Sequence, residues 1–109
     1  MIRKPLIKAM KGHPGIGKFT LAHVLASILK FLLLDKDDIR DSTFLLHQEL
    51  SSHLFNDLSY EVIWRLASTQ LHLGLNIIID SPLSRKTHLD CLFNLVASAR
   101  ARILIVECQ

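Results

Sequence analysis

Gly12-His13-Pro14-Gly15-Ile16-Gly17-Lys18-Phe19-Thr20 is the stretch that decides how this chain is read. It follows the glycine-rich phosphate-loop (Walker A) pattern G-x-x-x-x-G-K-[ST] at every position but the last, where Phe19 stands and Thr20 comes one residue late. Glycines let successive backbone N–H groups turn inward around an anion, the following helix offers its positive end, and a lysine reaches the β- and γ-phosphates. Nucleotide binding is the expectation, with Gly12, His13, Pro14, Gly15, Ile16, Gly17, Lys18, Phe19 and Thr20 as the cofactor-binding run. The bland alternative is an ordinary glycine turn, and three glycines at this spacing followed by lysine argue against it. Pro14 stiffens the loop, and His13 is expected to face solvent.

The motif needs a strand before it and a helix after it. Pro5 to Met10 reads as that strand, with Lys8 an awkward polar member of a run that should be apolar on both faces. From Lys18 the period changes, and Leu21, Val24, Leu25, Ile28 and Leu29 recur at helical spacing to about Lys30. Phe31 to Leu34 is a compact buried-strand run ending in Asp35. Ser42 to Phe55 is loosely helical. Asn56 or Asp57 can cap a clearer helix with Leu58, Val62, Ile63, Leu66 and Ala67 on one face, stopped by a left-handed Gly74. Asn76 to Asp80 is a β-branched strand, after which Ser84 can cap a helix burying Leu89, Leu92, Phe93 and Val96. Ile103 to Val106 is a fourth strand.

Strands alternating with helices predict an α/β fold of three layers, α-β-α, around a parallel sheet of about four strands. Ligands of such sheets sit at the carboxyl ends of the strands, where the glycine loop, Asp35 to Asp41, and Asp80 with Ser81 all fall. Asp80 is placed to hold magnesium directly or through water, the alternative being a carboxylate that caps the Ser81-Pro82 turn. Asp37 can accept a proton from an attacking hydroxyl, and Arg40, one helical turn on, can hold a phosphate in a fork. Read from the residues alone, that pair is equally well a solvated, salt-bridged helix start.

Size and charge set the outer limits. At 109 residues the chain is at most one domain, burying roughly 65% of its unfolded surface. A composition 50% hydrophobic and 21% charged argues against disorder. Lysine and arginine number 13 against 10 acids, a net charge of +3 without basic runs, which suits phosphate and gives no indication of nucleic-acid binding. Cys91 and Cys108 have neither metal-ligand spacing nor a disulfide framework, the pattern of reduced thiols in a cytoplasmic protein. No apolar run approaches the ~20 residues of a membrane span, and Lys8 and Lys11 interrupt any signal-like N-terminus.

The segments GHPGIGKFT, LDKDDIRD and IIIDSPLSR together resemble the P-loop kinase group of polynucleotide kinases and zeta-toxin-like kinases, most of all its AAA-type ATP-binding members. The resemblance implies ATP and Mg2+ as cofactors, Gly12 to Thr20 on the ATP phosphates, and Lys18 neutralising them. It further implies Asp37 as general base toward a hydroxyl acceptor, Arg40 on an acceptor phosphate, and Asp80 on the magnesium side. The catalytic set is then Lys18, Asp37 and Arg40. Family members carry serine or threonine after the lysine, as the magnesium hydroxyl, where this chain has Phe19. Neighbouring helix positions point about 100° apart, so Thr20 does not take that place and keeps a contact to the α-phosphate. The family also continues past the fourth strand with an arginine-bearing lid, a further strand and adenine contacts. The expectation is therefore a partial P-loop domain over residues 1–109, incomplete at its C-terminal side, with an open sheet edge at the first or fourth strand that a partner or second copy can cover. Two readings follow: ATP-dependent phosphotransfer to a hydroxyl acceptor, or a nucleotide-binding module or NTPase fragment without effective catalysis.

Overall fold

A computed structural model describes residues 4–12, 16–42 and 52–107, and the backbone alone at 16–20, 40–42, 52, 53 and 55. Apolar runs and helical repeats alternate as the sequence predicts: β1 (Leu6–Lys11), α1 (Ile16–Leu29), β2 (Leu32–Asp35), α2 (Lys36–Ser42), α3 (Ser52–His72), β3 (Ile77–Asp80), α4 (Lys86–Ala99) and β4 (Arg102–Glu107). The four strands pair in parallel in the order β2-β3-β1-β4. β3 therefore lies between β2 and the glycine strand β1, so β2 is not its immediate neighbour. β1 is central and β4 forms one edge, with Leu104 and Ile105 exposed. No described helix is long and apolar enough to cross a membrane. Cys91 is an exposed free thiol, and Cys108 lies outside the described residues.

Strand alternation splits the core into two layers. Ile7, Ala9, Leu34, Ile77 and Ile79 pack with Tyr60, Ile63, Ala67 and Leu71 of α3 and Leu92 and Leu95 of α4. Met10 and Ile78 point the other way, onto Ala22 of α1, with Leu25 and Ala26 partly buried beside them. Lys8 is half-buried, opposite Ile78 and Leu104 in register.

Helix faces differ from the expected ones in three places. Leu21, Val24, Ile28 and Leu29 are exposed, and the buried side of α1 is Ala22 with Leu25 and Ala26, since small alanines allow close approach to the sheet. Leu58 and Leu66 of α3 are exposed, while Tyr60, Ile63, Ala67 and Leu71 form its core stripe. On α4 the stripe is His88, Leu92 and Leu95, with Phe93 exposed.

Caps differ as well. α3 begins at Ser52, so Asn56 and Asp57 lie within it. Both serve tertiary contacts: Asn56 Oδ1 accepts from Lys36 Nζ, and Asp57 Oδ1 lies 3.9 Å from Arg85 Nη1. Arg85, not Ser84, is the N-cap of α4: its carbonyl accepts the His88 N–H (3.0 Å) and the Leu89 N–H (3.4 Å), and His88 Nδ1 reaches back to accept the Arg85 N–H (3.4 Å), as the third residue of a capping box does. Gly74, at φ +81°, is the left-handed stop of α3 as expected. The loosely helical stretch after Ser42 falls largely at 43–51, outside the described residues.

Candidate active site at the carboxyl edge of the sheet

The parallel register lines up the strand ends. Met10 lies opposite Asp80, and Asp80 opposite Asp35. Both aspartates are buried, at 5% exposure for Asp35 and 7% for Asp80. They share, by alternation, the α1 side of the sheet. Next to them Gly12 takes φ +139°, a conformation that side chains rarely adopt. Its N–H donates to the Pro82 carbonyl (3.2 Å), and the Ser81 N–H donates to the Met10 carbonyl (3.5 Å). The start of the glycine loop is thus stitched to the turn that follows Asp80.

Asp35 caps α2. Its Oδ1 accepts the Asp37 N–H at 2.9 Å, and its Oδ2 lies 3.8 Å from His23 Nε2 on α1. Burial pushes the Asp35 carboxyl above the usual aspartate range; the Asp37 N–H opposes this, and the charges of Asp80, Asp37 and Asp38 add to it. The sequence places Asp35 at the ligand edge, as the first of the Asp35 to Asp41 cluster, without giving it a role of its own. The signal was present, since Leu34-Asp35 and Ile79-Asp80 end two strands alike, but only the register makes them neighbours.

The raised pKa carries a stability consequence. Between the unfolded and the folded pKa the native state binds the extra proton, so stability falls as pH rises through that window and stays lower above it. Asp35→Asn keeps the Oδ1 acceptor for Asp37 and removes the buried charge, while the largely solvated His23 partner offsets little. The substitution is expected to raise Tm at pH 7. The gain should shrink as acid protonates the wild-type carboxyl. Melting curves at pH 7 and in mild acid check this, and an unchanged or lower Tm at pH 7 contradicts it.

A second cluster backs the turn. Tyr60 Oη accepts the Leu83 N–H (3.1 Å), and its ring stacks on His88 (centroids 3.8 Å apart) and on Trp64 (5.9 Å), with Lys36 Nζ 5.0 Å from its centre. Burial, then the charges of Arg85 and Lys36, push the His88 imidazole below its usual range, against the pull of Asp57. Burial raises the Tyr60 phenol, partly offset by the Leu83 N–H and by the nearby Ser81 side chain. Ser81, at 2% exposure, has its hydroxyl close to that phenol, and its Oγ meets no other polar partner among the described residues.

Of the expected site residues, the structure brings Gly12, Asp37 and Asp80 to one edge. His13, Pro14 and Gly15 lie outside the described residues. Ile16, Gly17, Lys18, Phe19 and Thr20 form the first turns of α1, and Arg40 lies in α2, all described by backbone alone. Among the described residues no group of three or more His, Cys, Asp or Glu is placed to hold a metal.

A family model described as an AAA domain matches residues 8–109. The chain belongs to this AAA-domain family. The fold of this AAA domain is that of the P-loop kinase-like NTPases, and solved structures share it. A candidate kinase from Chloroflexus aurantiacus superposes with a TM-score of 0.87 at 24% identity, covering 99% of this chain and 61% of that one. A Mycobacterium tuberculosis APS kinase gives 0.75 at 18% identity, over 96% and 76%. The same organism's APS kinase in complex with AMPPNP and APS gives 0.71 at 18% identity, over 97% and 63%. The chain spans 61% and 62% of the first two structures it matches. No curated protein matches it.

Proposed function

We propose that the chain binds ATP on Gly12 to Thr20 and transfers the γ-phosphoryl group to a hydroxyl-bearing acceptor. The observation that carries this reading is the convergence of Gly12, Asp80 and the Asp35–Asp37 helix start on one edge of the sheet. Family membership supports nucleotide binding. The residues present suit the cofactors: Gly12, at a φ that side chains rarely adopt, starts a glycine-rich loop of the kind that cradles an anion, beside two buried strand-end carboxylates. Kinase-type Mg2+ takes one or two carboxylates together with phosphates and water, a set that Asp80 and its register neighbour Asp35 can provide. When bound, Mg2+ neutralises phosphate charge.

In this reading Lys18 grips the β- and γ-phosphates, and Arg40 holds a phosphate of the acceptor. The acceptor oxygen forms the new bond to the γ-phosphorus as the bond to ADP breaks, and the acceptor proton passes to Asp37. Such chemistry belongs where ATP is abundant, the cytoplasm. A second reading, nucleotide binding without effective transfer, is favoured by Phe19, which removes the hydroxyl that family members offer the metal.

Calorimetric titration of ATP with and without Mg2+ tests both. Wild type is expected to bind ATP with little help from the metal. Phe19→Ser is expected to bind on the order of tenfold more tightly, and only when Mg2+ is present. Wild type that takes up no ATP overturns the proposal, and a magnesium response unaltered in Phe19→Ser overturns the role given to Phe19.

A further inference from the structure

We propose that Tyr60 is a positioning residue, clamping the turn after Asp80 against Gly12 and thereby fixing the point from which the glycine loop starts. This inference rests on the nucleotide-binding reading for its purpose but not for its geometry. Tyr60 Oη accepts the N–H of Leu83, 23 positions away, at 3.1 Å. The preceding carbonyl, that of Pro82, accepts the N–H of Gly12 at 3.2 Å. One turn is therefore gripped from α3 on one side and grips the glycine loop on the other. Leu83 is fully buried at φ +49°, a left-handed conformation uncommon for leucine, which persists only where its surroundings over-determine it. Tyr60 supplies that restraint. It is itself buried, stacked on the His88 and Trp64 rings with the Lys36 ammonium over its face, so its hydroxyl is a fixed point. Lys36 also begins α2, next to Asp37, so the same ring touches both the acid-bearing helix start and the turn that meets Gly12.

The test compares Tyr60→Phe, which keeps the ring and its stack, with Ile63→Val, which trims a buried contact of the same helix that lies outside the turn. Backbone amide exchange is followed by NMR at Leu83, Gly12 and, as a reporter of global opening, Ile79. In Tyr60→Phe protection at Leu83 and Gly12 is expected to fall at least ~10-fold more than at Ile79, and the Kd for ATP to rise at least ~3-fold. In Ile63→Val the three amides are expected to shift together with ATP affinity unchanged. Gly12 protection that merely follows Ile79 in Tyr60→Phe overturns the clamp, as does an Ile63→Val variant that reproduces the Tyr60→Phe pattern. If wild type binds no ATP, the functional reading falls while Gly12 exchange still decides the clamp.

Discussion

Lys18→Ala is expected to weaken ATP binding by at least ~100-fold, about 2.7 kcal/mol, with the fold unchanged. The magnitude follows from the surroundings. Asp35, Asp37, Asp38 and Asp80 cluster at this edge, and the repulsion among them is strong enough to help raise the Asp35 pKa. A triphosphate approaching this edge meets like charge. Against it stand the N-terminal end of α1, which carries no acid in its first turn, and the lysine at the third position of that helix. Helix-terminus effects amount to ~0.3–1 kcal/mol at exposed sites, too little alone to hold a polyanion beside four carboxylates. The lysine must therefore supply much of the attraction. Position 18 lies in the first turn, where alanine is a good helix former, so circular dichroism should match wild type. Titration calorimetry gives the ratio of Kd values, and a change smaller than twofold would sink the assignment of this loop as the phosphate site.

The sequence made the strands legible because each is a short apolar run bounded by turn chemistry, and β1, β2, β3 and β4 lie within a residue or so of where the pattern puts them. Their order was not legible. Alternation of strands and helices dictates a parallel sheet without saying which strand sits beside which, and β3 turned out to separate β2 from the glycine strand. The faces of α1 were hidden for a different reason. With Leu21, Val24, Leu25, Ile28 and Leu29 all apolar, period alone cannot choose a stripe, and the sheet selects the small Ala22 and Ala26. His88 defeats the pattern in the opposite sense: a polar residue joins the core stripe of α4 because Tyr60, 28 positions earlier, offers its ring face.

The same limits shape the candidate site. Gly12 and Asp80 could be assigned to one edge because each ends its own strand. Asp35 could not be recognised as a buried carboxyl with a raised pKa, because its burial and its place beside Asp80 come from the packed sheet and not from its neighbours in sequence. Nor does spacing tie Tyr60 to Leu83 and, through Pro82, to Gly12. Contacts that join distant elements were the part that only the fold supplies.

Asp37→Asn should separate binding from chemistry. Asp37 lies in the first turn of α2 with its N–H fixed on Asp35 Oδ1, so asparagine, nearly the same shape, is expected to keep the backbone hydrogen bond and the helix start. What it loses is a carboxylate able to take the acceptor's proton. General-base catalysis contributes ~10²–10⁴-fold, and kcat for transfer to a hydroxyl acceptor should drop by at least the lower figure while the Kd for ATP stays within about twofold. Asp38→Asn is the matched control: it removes the same charge one position along, from an exposed side chain, and should leave kcat within about threefold of wild type. If Asp37→Asn and Asp38→Asn depress transfer equally, the effect is one of net charge at the helix start and not proton transfer. If Asp37→Asn instead weakens ATP binding in proportion to its loss of rate, Asp37 belongs to the nucleotide's own site, and the acceptor's base has to be sought elsewhere on this edge.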